Sequence, residues 1–119
     1  MLAKPHRINT SAEYELIFKR GRKFISKYFI LYTLHNPSAP IKTDILPKFG
    51  IIASKKVGQA VIRNRAKRLI REVIKAELPL LKKDFAAVIV AFASAAESEL
   101  TELQLEAKKT FTQAGLYRA

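Results

Sequence analysis

The chain has 119 residues and a formal net charge of +12, from 22 lysines and arginines against 10 aspartates and glutamates. This length predicts one domain over residues 1–119, and the 49% of hydrophobic residues excludes a disordered tail. It has no cysteine, which excludes disulfides, thiolate metal sites and a cysteine nucleophile. A positive charge of this size predicts attraction to polyanions.

The chain begins with a predicted arm and helix. Residues 1–9 are polar and basic, which indicates a mobile arm. Thr10 and Glu13 have the spacing of a capping box, which predicts the start of a helix. Gly21, after two basic residues, predicts its end. One face of this helix carries Tyr14, Ile17 and Phe18.

Residues 24–34 are mostly aromatic and β-branched, and they predict a single strand. Alternation places Phe29, Leu31 and Thr33 on one face and Tyr28, Ile30 and Tyr32 on the other. Both faces are apolar. A fully buried central strand explains this, and so does a strand with one face open to a ligand.

The middle of the chain predicts a loop and two further strands. Residues 35–47 contain three prolines and predict a loop, residues 48–54 a strand and residues 84–92 a buried strand. The longest nearly apolar run, residues 85–96, is too short to span a bilayer. Residues 1–15 lack the apolar run of a signal peptide, so we expect a cytoplasmic protein without a membrane partner.

The end of the chain predicts a connection at residues 94–98 and a last helix. Thr101 and Gln104 have capping-box spacing, which predicts its start. Acidic residues precede Lys108 and Lys109, an order that suits the helix dipole, so we interpret this helix as structural. The order of elements predicts an α+β fold with helices packed on one mixed sheet.

Residues 54–75 (SKKVGQAVIRNRAKRLIREVIK) carry eight lysines and arginines and one acid, Glu72. A turn through Val57 and Gly58 leads into a helix that is expected to end near Glu77, before Pro79. The predicted buried stripe is Ile62, Ala66, Leu69 and Val73, with Ile70 and Ile74 beside it. The opposite side carries Asn64, Lys67, Arg68, Arg71 and Lys75, with Arg63 and Arg65 on the flanks.

A charged helix face is usually only solvated, but such faces normally mix signs. Like charges at i,i+4 repel by a few tenths of a kcal/mol per pair, so this nearly unmixed face favours a polyanionic partner, and nucleic acid above others. Catalysis by side chains has little support, because His6 and His35 stand in no recognisable relay or metal-binding spacing. Asp44 and Asp84 are lone carboxylates. We predict no catalytic residue and no metal site in the protein.

The stretch from Ser54 to Glu72, with Arg-Asn-Arg at 63–65, resembles the signature of the bacterial ribonuclease P protein subunit. The helix with Tyr14 and Phe18 that ends in Lys-Arg-Gly at 19–21 is similar to the family's first helix. FILYTL at 29–34 and the apolar run at 85–92 resemble its strands. The resemblance covers roughly residues 10–116.

This resemblance implies a single αβββαβα sandwich with a mixed central sheet and a left-handed βαβ crossover. It implies an endoribonuclease subunit that works with the catalytic ribonuclease P RNA and precursor tRNA, and not with DNA. The RNA removes the 5′ leader with magnesium ions, and the protein alone binds no cofactor.

The resemblance also implies two sets of site residues. The RNA-binding set is Lys55, Lys56, Arg63, Asn64, Arg65, Lys67, Arg68 and Arg71. The set lining a cleft for the single-stranded leader is Tyr14, Phe18, Ile30 and Tyr32.

Three other functions remain open on the residues alone. A general RNA-binding module would use the same cationic face without a catalytic RNA. A self-sufficient nuclease would need a carboxylate or histidine constellation. A DNA reader would place the basic helix in a major groove, but a strand and not a helix precedes it.

Overall fold

The computed structural model describes residues 6–42 and 46–118. The helices are α1 Ser11–Arg20, α2 Ala60–Glu77, α3 Ala93–Glu97 and α4 Leu100–Gln113. The strands are β1 Arg22–Ile25, β2 Phe29–His35, β3 Lys48–Ile52 and β4 Phe85–Ala91. One-turn 3-10 helices occupy Lys55–Val57 and Leu78–Leu80. No helix in these ranges is long and apolar enough to cross a membrane.

The four strands form one mixed sheet in the order β1-β2-β4-β3. β2 pairs antiparallel with β1 and β4, whereas β3 pairs parallel with β4, and α2 connects these last two strands. Parallel neighbours require such a crossover. The predicted α+β fold is therefore confirmed, with α3 as an additional short helix, and the left-handedness of the crossover stays a prediction.

The predicted single strand over residues 24–34 is wrong, because β1 and β2 form a hairpin there. The Ser26 hydroxyl accepts hydrogen bonds from the backbone N–H groups of Tyr28 and Phe29, at 3.3 and 3.2 Å. A serine side chain that bonds to the backbone two and three residues ahead stabilises a turn. The segments on both sides of this turn are rich in strand-forming residues, so the sequence pattern does not show that the strand is interrupted.

The predicted alternation of faces holds within β2. Phe29, Leu31 and Thr33 are buried, and the first two belong to a core cluster with residues of α2 and α4. Ile30 and Tyr32 are half-buried on the other face. Tyr28 does not join them, because it lies in the turn and its hydroxyl donates to a Glu102 carboxylate oxygen in α4 at 2.8 Å.

The buried stripe of α2 is rotated from the predicted one. Its apolar members are Ala66, Ile70, Val73 and Ile74. Leu69 is half-buried and Ile62 is 42% exposed. Ile62 packs back on Gly58, where an added Cβ would lie 3.2 Å from three of its side-chain atoms. The first turn of α2 therefore contacts the preceding loop and not the core.

The capping box of α1 is confirmed and that of α4 is wrong. Thr10 Oγ1 accepts from the Glu13 N–H at 3.2 Å, and Glu13 Oε1 accepts from the Thr10 N–H at 3.0 Å. In α4 the N-cap is Glu99, whose side chain makes no capping hydrogen bond. The predicted connection at 94–98 is largely helical, because α3 precedes α4 and shifts its start.

Residues 6–9 differ from the predicted mobile arm. The Ile8 N–H donates to the Phe49 carbonyl at 2.9 Å, and the Ile8 side chain is buried. His6 Nδ1 lies 2.7 Å from the Pro47 carbonyl oxygen. This part of the arm follows the outer edge of β3, and residues 1–5 lie outside the described residues.

The two threonines give a matched test of these caps. We expect Thr10→Ala to lower the free energy of unfolding by about 1 kcal/mol, because the N–H of Glu13 loses its acceptor. Thr101→Ala should leave it within about 0.5 kcal/mol, since Thr101 is exposed in the first turn of α4 and caps nothing. Urea unfolding of both variants measures the difference. Equal losses would contradict the assignment of the cap.

Candidate nucleic-acid interface

The outer side of α2 and the 3-10 helix before it form a continuous basic surface, here called the cationic face. Its members are Lys55, Lys56, Arg63, Asn64, Arg65, Lys67, Arg68 and Arg71. Lys55, Lys56, Asn64, Arg65 and Arg68 are exposed, and the other three are half-buried. Glu72 is the one acid within residues 54–75. Apart from Arg63, which lies on the buried side of α2, the sequence-predicted RNA-binding residues lie on this outer surface, which suits a chain of phosphates.

Two lysines stand at the entrance to α2. The Ser54 hydroxyl accepts from the Lys56 N–H at 3.3 Å and begins the 3-10 turn, while Val57 is buried and anchors it. Gly58 ends the turn at φ 143°, a conformation that side-chain-bearing residues rarely adopt. Lys55 and Lys56 are therefore held by the backbone at the end of β3 with their side chains in solvent.

The two arginines of the Arg-Asn-Arg motif have different surroundings. Arg65 Nε donates to the Ala96 carbonyl of α3 at 2.7 Å, which fixes one side of its guanidinium. Arg63 lies three residues before Ala66 and seven before Ile70, so it belongs to the buried side of α2 and not to a flank. Its Nε is enclosed and has no hydrogen-bond acceptor among the described residues. Both side chains are thus positioned by the protein before any ligand binds.

The predicted cleft residues meet on the opposite face of the sheet. The rings of Tyr14 and Phe18 are stacked at 6.4 Å, and Phe18 packs edge-on against Tyr32 at 4.8 Å. Phe18 remains 42% exposed. Ile30 lies two residues before Tyr32 on the same face and is half-buried. This half-open aromatic cluster can stack with unpaired bases.

Tyr14 is seated directly over β3. A Cβ at Gly50 would lie 2.5–2.8 Å from three atoms at the hydroxyl end of the Tyr14 side chain, so only glycine permits this approach. Burial, and secondly the charge of Glu13, raises the pKa of the Tyr14 hydroxyl above its ordinary value. The hydroxyl, which is protonated at neutral pH as in any ordinary tyrosine, can donate a hydrogen bond.

A cavity of about 150 Å³ at the outer edge of β3 is lined by residues of both the cleft and the cationic face. Tyr14 and Gly50 line it from the cleft, and Arg71 lines it from α2. Arg7 and Ile8 complete its wall from the arm. The two predicted groups of residues are therefore neighbours around one sheet edge, although they lie on opposite faces.

Sequence reasoning missed the contribution of Arg7 and Ile8. Their segment is short and polar, and no local pattern predicts that it pairs with β3. It also missed that both histidines have structural contacts, His6 with the Pro47 carbonyl and His35 Nε2 with the Ala114 carbonyl at 3.4 Å. Within residues 6–42 and 46–118, no group of three or more histidines and acids could hold a metal ion.

Comparison with known proteins identifies the family of the chain. The family model for ribonuclease P matches residues 2–115. The ribonuclease P protein component of Bacillus velezensis is 36% identical over 118 residues, covering 98% of this chain and 96% of its own. That of Clostridium botulinum strain Alaska E43 is 33% identical over 94% and 90%.

Solved structures agree with the fold. The Staphylococcus aureus RNase P protein aligns with a TM-score of 0.80 and 27% identity, covering 95% of this chain and 98% of its own. The Thermotoga maritima protein aligns with a TM-score of 0.72 over 87% of this chain, and its 22% identity supports the fold alone.

The mixed sheet, the cationic helix and these relatives define an RNA-binding protein of tRNA processing. The chain belongs to the ribonuclease P protein family and is the protein subunit of that ribonuclease. Membership implies association with ribonuclease P RNA.

Arg68 tests the cationic face with little risk to the fold, because it is exposed and alanine is a strong helix former. We expect Arg68→Ala to weaken binding to ribonuclease P RNA and to lower the slope of log affinity against log salt by about 1. Lys108→Ala removes the same charge from the exposed side of α4 and should change neither quantity. Equal effects of the two variants would show that net charge, and not this face, determines binding.

Proposed function

We propose that this protein binds the catalytic RNA through the cationic face and the single-stranded 5′ leader of precursor tRNA through the cleft. In this way it assists endonucleolytic removal of the leader, which forms the mature 5′ end of the tRNA. The observation that carries the proposal is the contact between the two surfaces at the edge of β3, where Tyr14 and Arg71 line one cavity.

The cationic face and the cleft differ in chemistry, and this difference matches that between a folded RNA and an unpaired leader. The cationic face offers mainly lysine and arginine side chains, which suit the phosphates of a folded RNA. The cleft offers half-exposed rings and aliphatic side chains, which suit bases that are not paired. A leader is unpaired and a mature tRNA lacks it, so the cleft provides a means of distinguishing precursor from product.

The chemical step is assigned to the RNA and its magnesium ions. The histidines have structural contacts, and none of the acids in the described ranges belongs to a group that could hold a metal. The protein contributes binding energy. The cationic face lowers the repulsion between two polyanions where they meet, which should reduce the magnesium concentration that the RNA requires.

Cleavage of a precursor tRNA at low magnesium tests the function. The protein alone, a bacterial ribonuclease P RNA alone and their mixture are compared. We expect efficient cleavage at the 5′ end only in the mixture. A mixture no faster than the RNA alone would support a general RNA-binding module, and cleavage by the protein alone would support a nuclease.

Tyr32→Leu tests the cleft. Leucine retains an apolar side chain between Phe18 and the sheet but removes the ring, so we expect the holoenzyme to bind precursor tRNA about fivefold or more weakly. Binding of mature tRNA should be unchanged, because it has no leader to stack. Equilibrium binding of both RNAs to the same holoenzyme measures this, and equal losses for the two would exclude the cleft as the leader site.

A further inference from the structure

The register of the sheet aligns four aliphatic side chains across all four strands. Ile25 in β1 pairs with Ile30 in β2, which pairs with Val90 in β4, which pairs with Ile52 in β3. Residues that pair across strands share a face. This apolar row therefore runs perpendicular to the strands, from one edge of the sheet to the other, on the face that carries the cleft.

Helix α1 covers the neighbouring row and leaves the apolar row partly open. The neighbouring row consists of Lys23, Tyr32, Val88 and Gly50, and α1 places Phe18 against Tyr32 and Tyr14 over Gly50. In the apolar row, Ile30, Val90 and Ile52 are half-buried and Ile25 is 66% exposed. The open strip therefore continues beyond the aromatic cluster to the outer edge of β1.

Cations lie at both ends of this strip. Near the β3 end, at the C-terminal ends of β3 and β4, a cavity of about 410 Å³ is lined by Val90 of the strip and by Ser54 and Lys56, so the strip adjoins the cationic face there. At the β1 end, the exposed Lys23 pairs with Tyr32 and so lies on the same face as Ile25. Neither row contains an acid. An apolar platform between two cationic ends matches a single RNA strand, whose bases stack while its phosphates contact lysines.

We infer that the leader crosses the whole sheet, and that Lys23 and Ile25 form a far subsite on β1 for its 5′-distal part. This inference rests on the proposed function of the cleft and adds two residues to it. Strands lie about 4.8 Å apart, so the four-stranded strip is about 14 Å long. At about 3.4 Å for each stacked nucleotide, it accommodates about four of them.

Strand β1 supplies its own control. Arg22 pairs with Thr33, so it lies on the opposite face, and its guanidinium is over the Phe24 ring at 5.3 Å. Lys23→Ala and Arg22→Ala therefore remove the same charge from adjacent positions on opposite faces. Ile25→Thr removes apolar surface but keeps a β-branched side chain that suits a strand.

The experiment measures the affinity of the reconstituted holoenzyme for precursor tRNAs with leaders of increasing length. We expect the wild-type affinity to rise with length and then level off. In the Lys23→Ala/Ile25→Thr variant it should level off at a shorter leader, with long leaders bound about fivefold or more weakly. Mature tRNA, the shortest leaders and the Arg22→Ala variant should match the wild type.

The far subsite would be overturned if the affinity of the double variant depended on leader length as that of the wild type does. It would also be overturned if Arg22→Ala weakened binding of long leaders as much as the double variant does. Either result would leave the cleft in place. A wild-type affinity independent of leader length would overturn the proposed function as well. The chain has no cysteine, so Lys23→Cys and Arg22→Cys each provide a unique attachment point for a photocrosslinker. Crosslinks to leader nucleotides far from the cleavage site are expected from position 23 only, and their absence there would also overturn the subsite.

Discussion

The parallel pairing of β3 with β4 is the constraint on which the rest of the structure depends. Two parallel neighbours cannot be joined by a hairpin, so the chain must cross one face of the sheet between them, and α2 is that crossover. β4 lies between β2 and β3 and is almost entirely buried, as its near-continuous apolar sequence requires. The crossover directs the apolar stripe of α2 toward the sheet and its lysines and arginines toward solvent. It also sets Lys55 and Lys56 at the end of β3, where the opposite face of the sheet is open.

The excess positive charge of α2 lowers the stability of the helix by repulsion between like charges, and a polyanionic ligand would relieve this repulsion. Like charges one turn apart on α2 repel by a few tenths of a kcal/mol per pair, and a single acid, Glu72, offsets them within residues 54–75. The helix tolerates this because its stability comes from the packing of Ala66, Ile70, Val73 and Ile74. Arg65 is also tied to the Ala96 carbonyl of α3. The packing of the apolar side of α2 therefore permits a surface of uncompensated positive charge on its other side.

The sequence predicts those features that depend on local patterns. The bounds of α2, the Thr10 and Glu13 capping box and the buried run of β4 follow from periodicity, cap chemistry and length. Features that depend on distant contacts, or on a single turn residue between two strand-like segments, are not predictable in this way. The β1–β2 turn relies on one serine between two strand-like segments, and Arg63 joins the buried side because the stripe of α2 is rotated. The docking of Ile8 beside Phe49 depends on an edge of β3 that exists only in the folded sheet. The predicted site residues come together on two adjoining surfaces, but the residues between them, Arg7 and Gly50, carry no local signal.

The position of α1 determines how much of the sheet is available to a ligand. Single exposed apolar side chains are normal on protein surfaces and carry no argument. Ile25, Ile30, Val90 and Ile52 differ because the register places them in one line and because α1 leaves that line partly open while covering the next. Gly50 lies at this boundary, since a side chain there would displace the hydroxyl end of the Tyr14 ring. A glycine that permits one close contact thus lies at the border of the open strip, and lysines lie at the two ends of that strip.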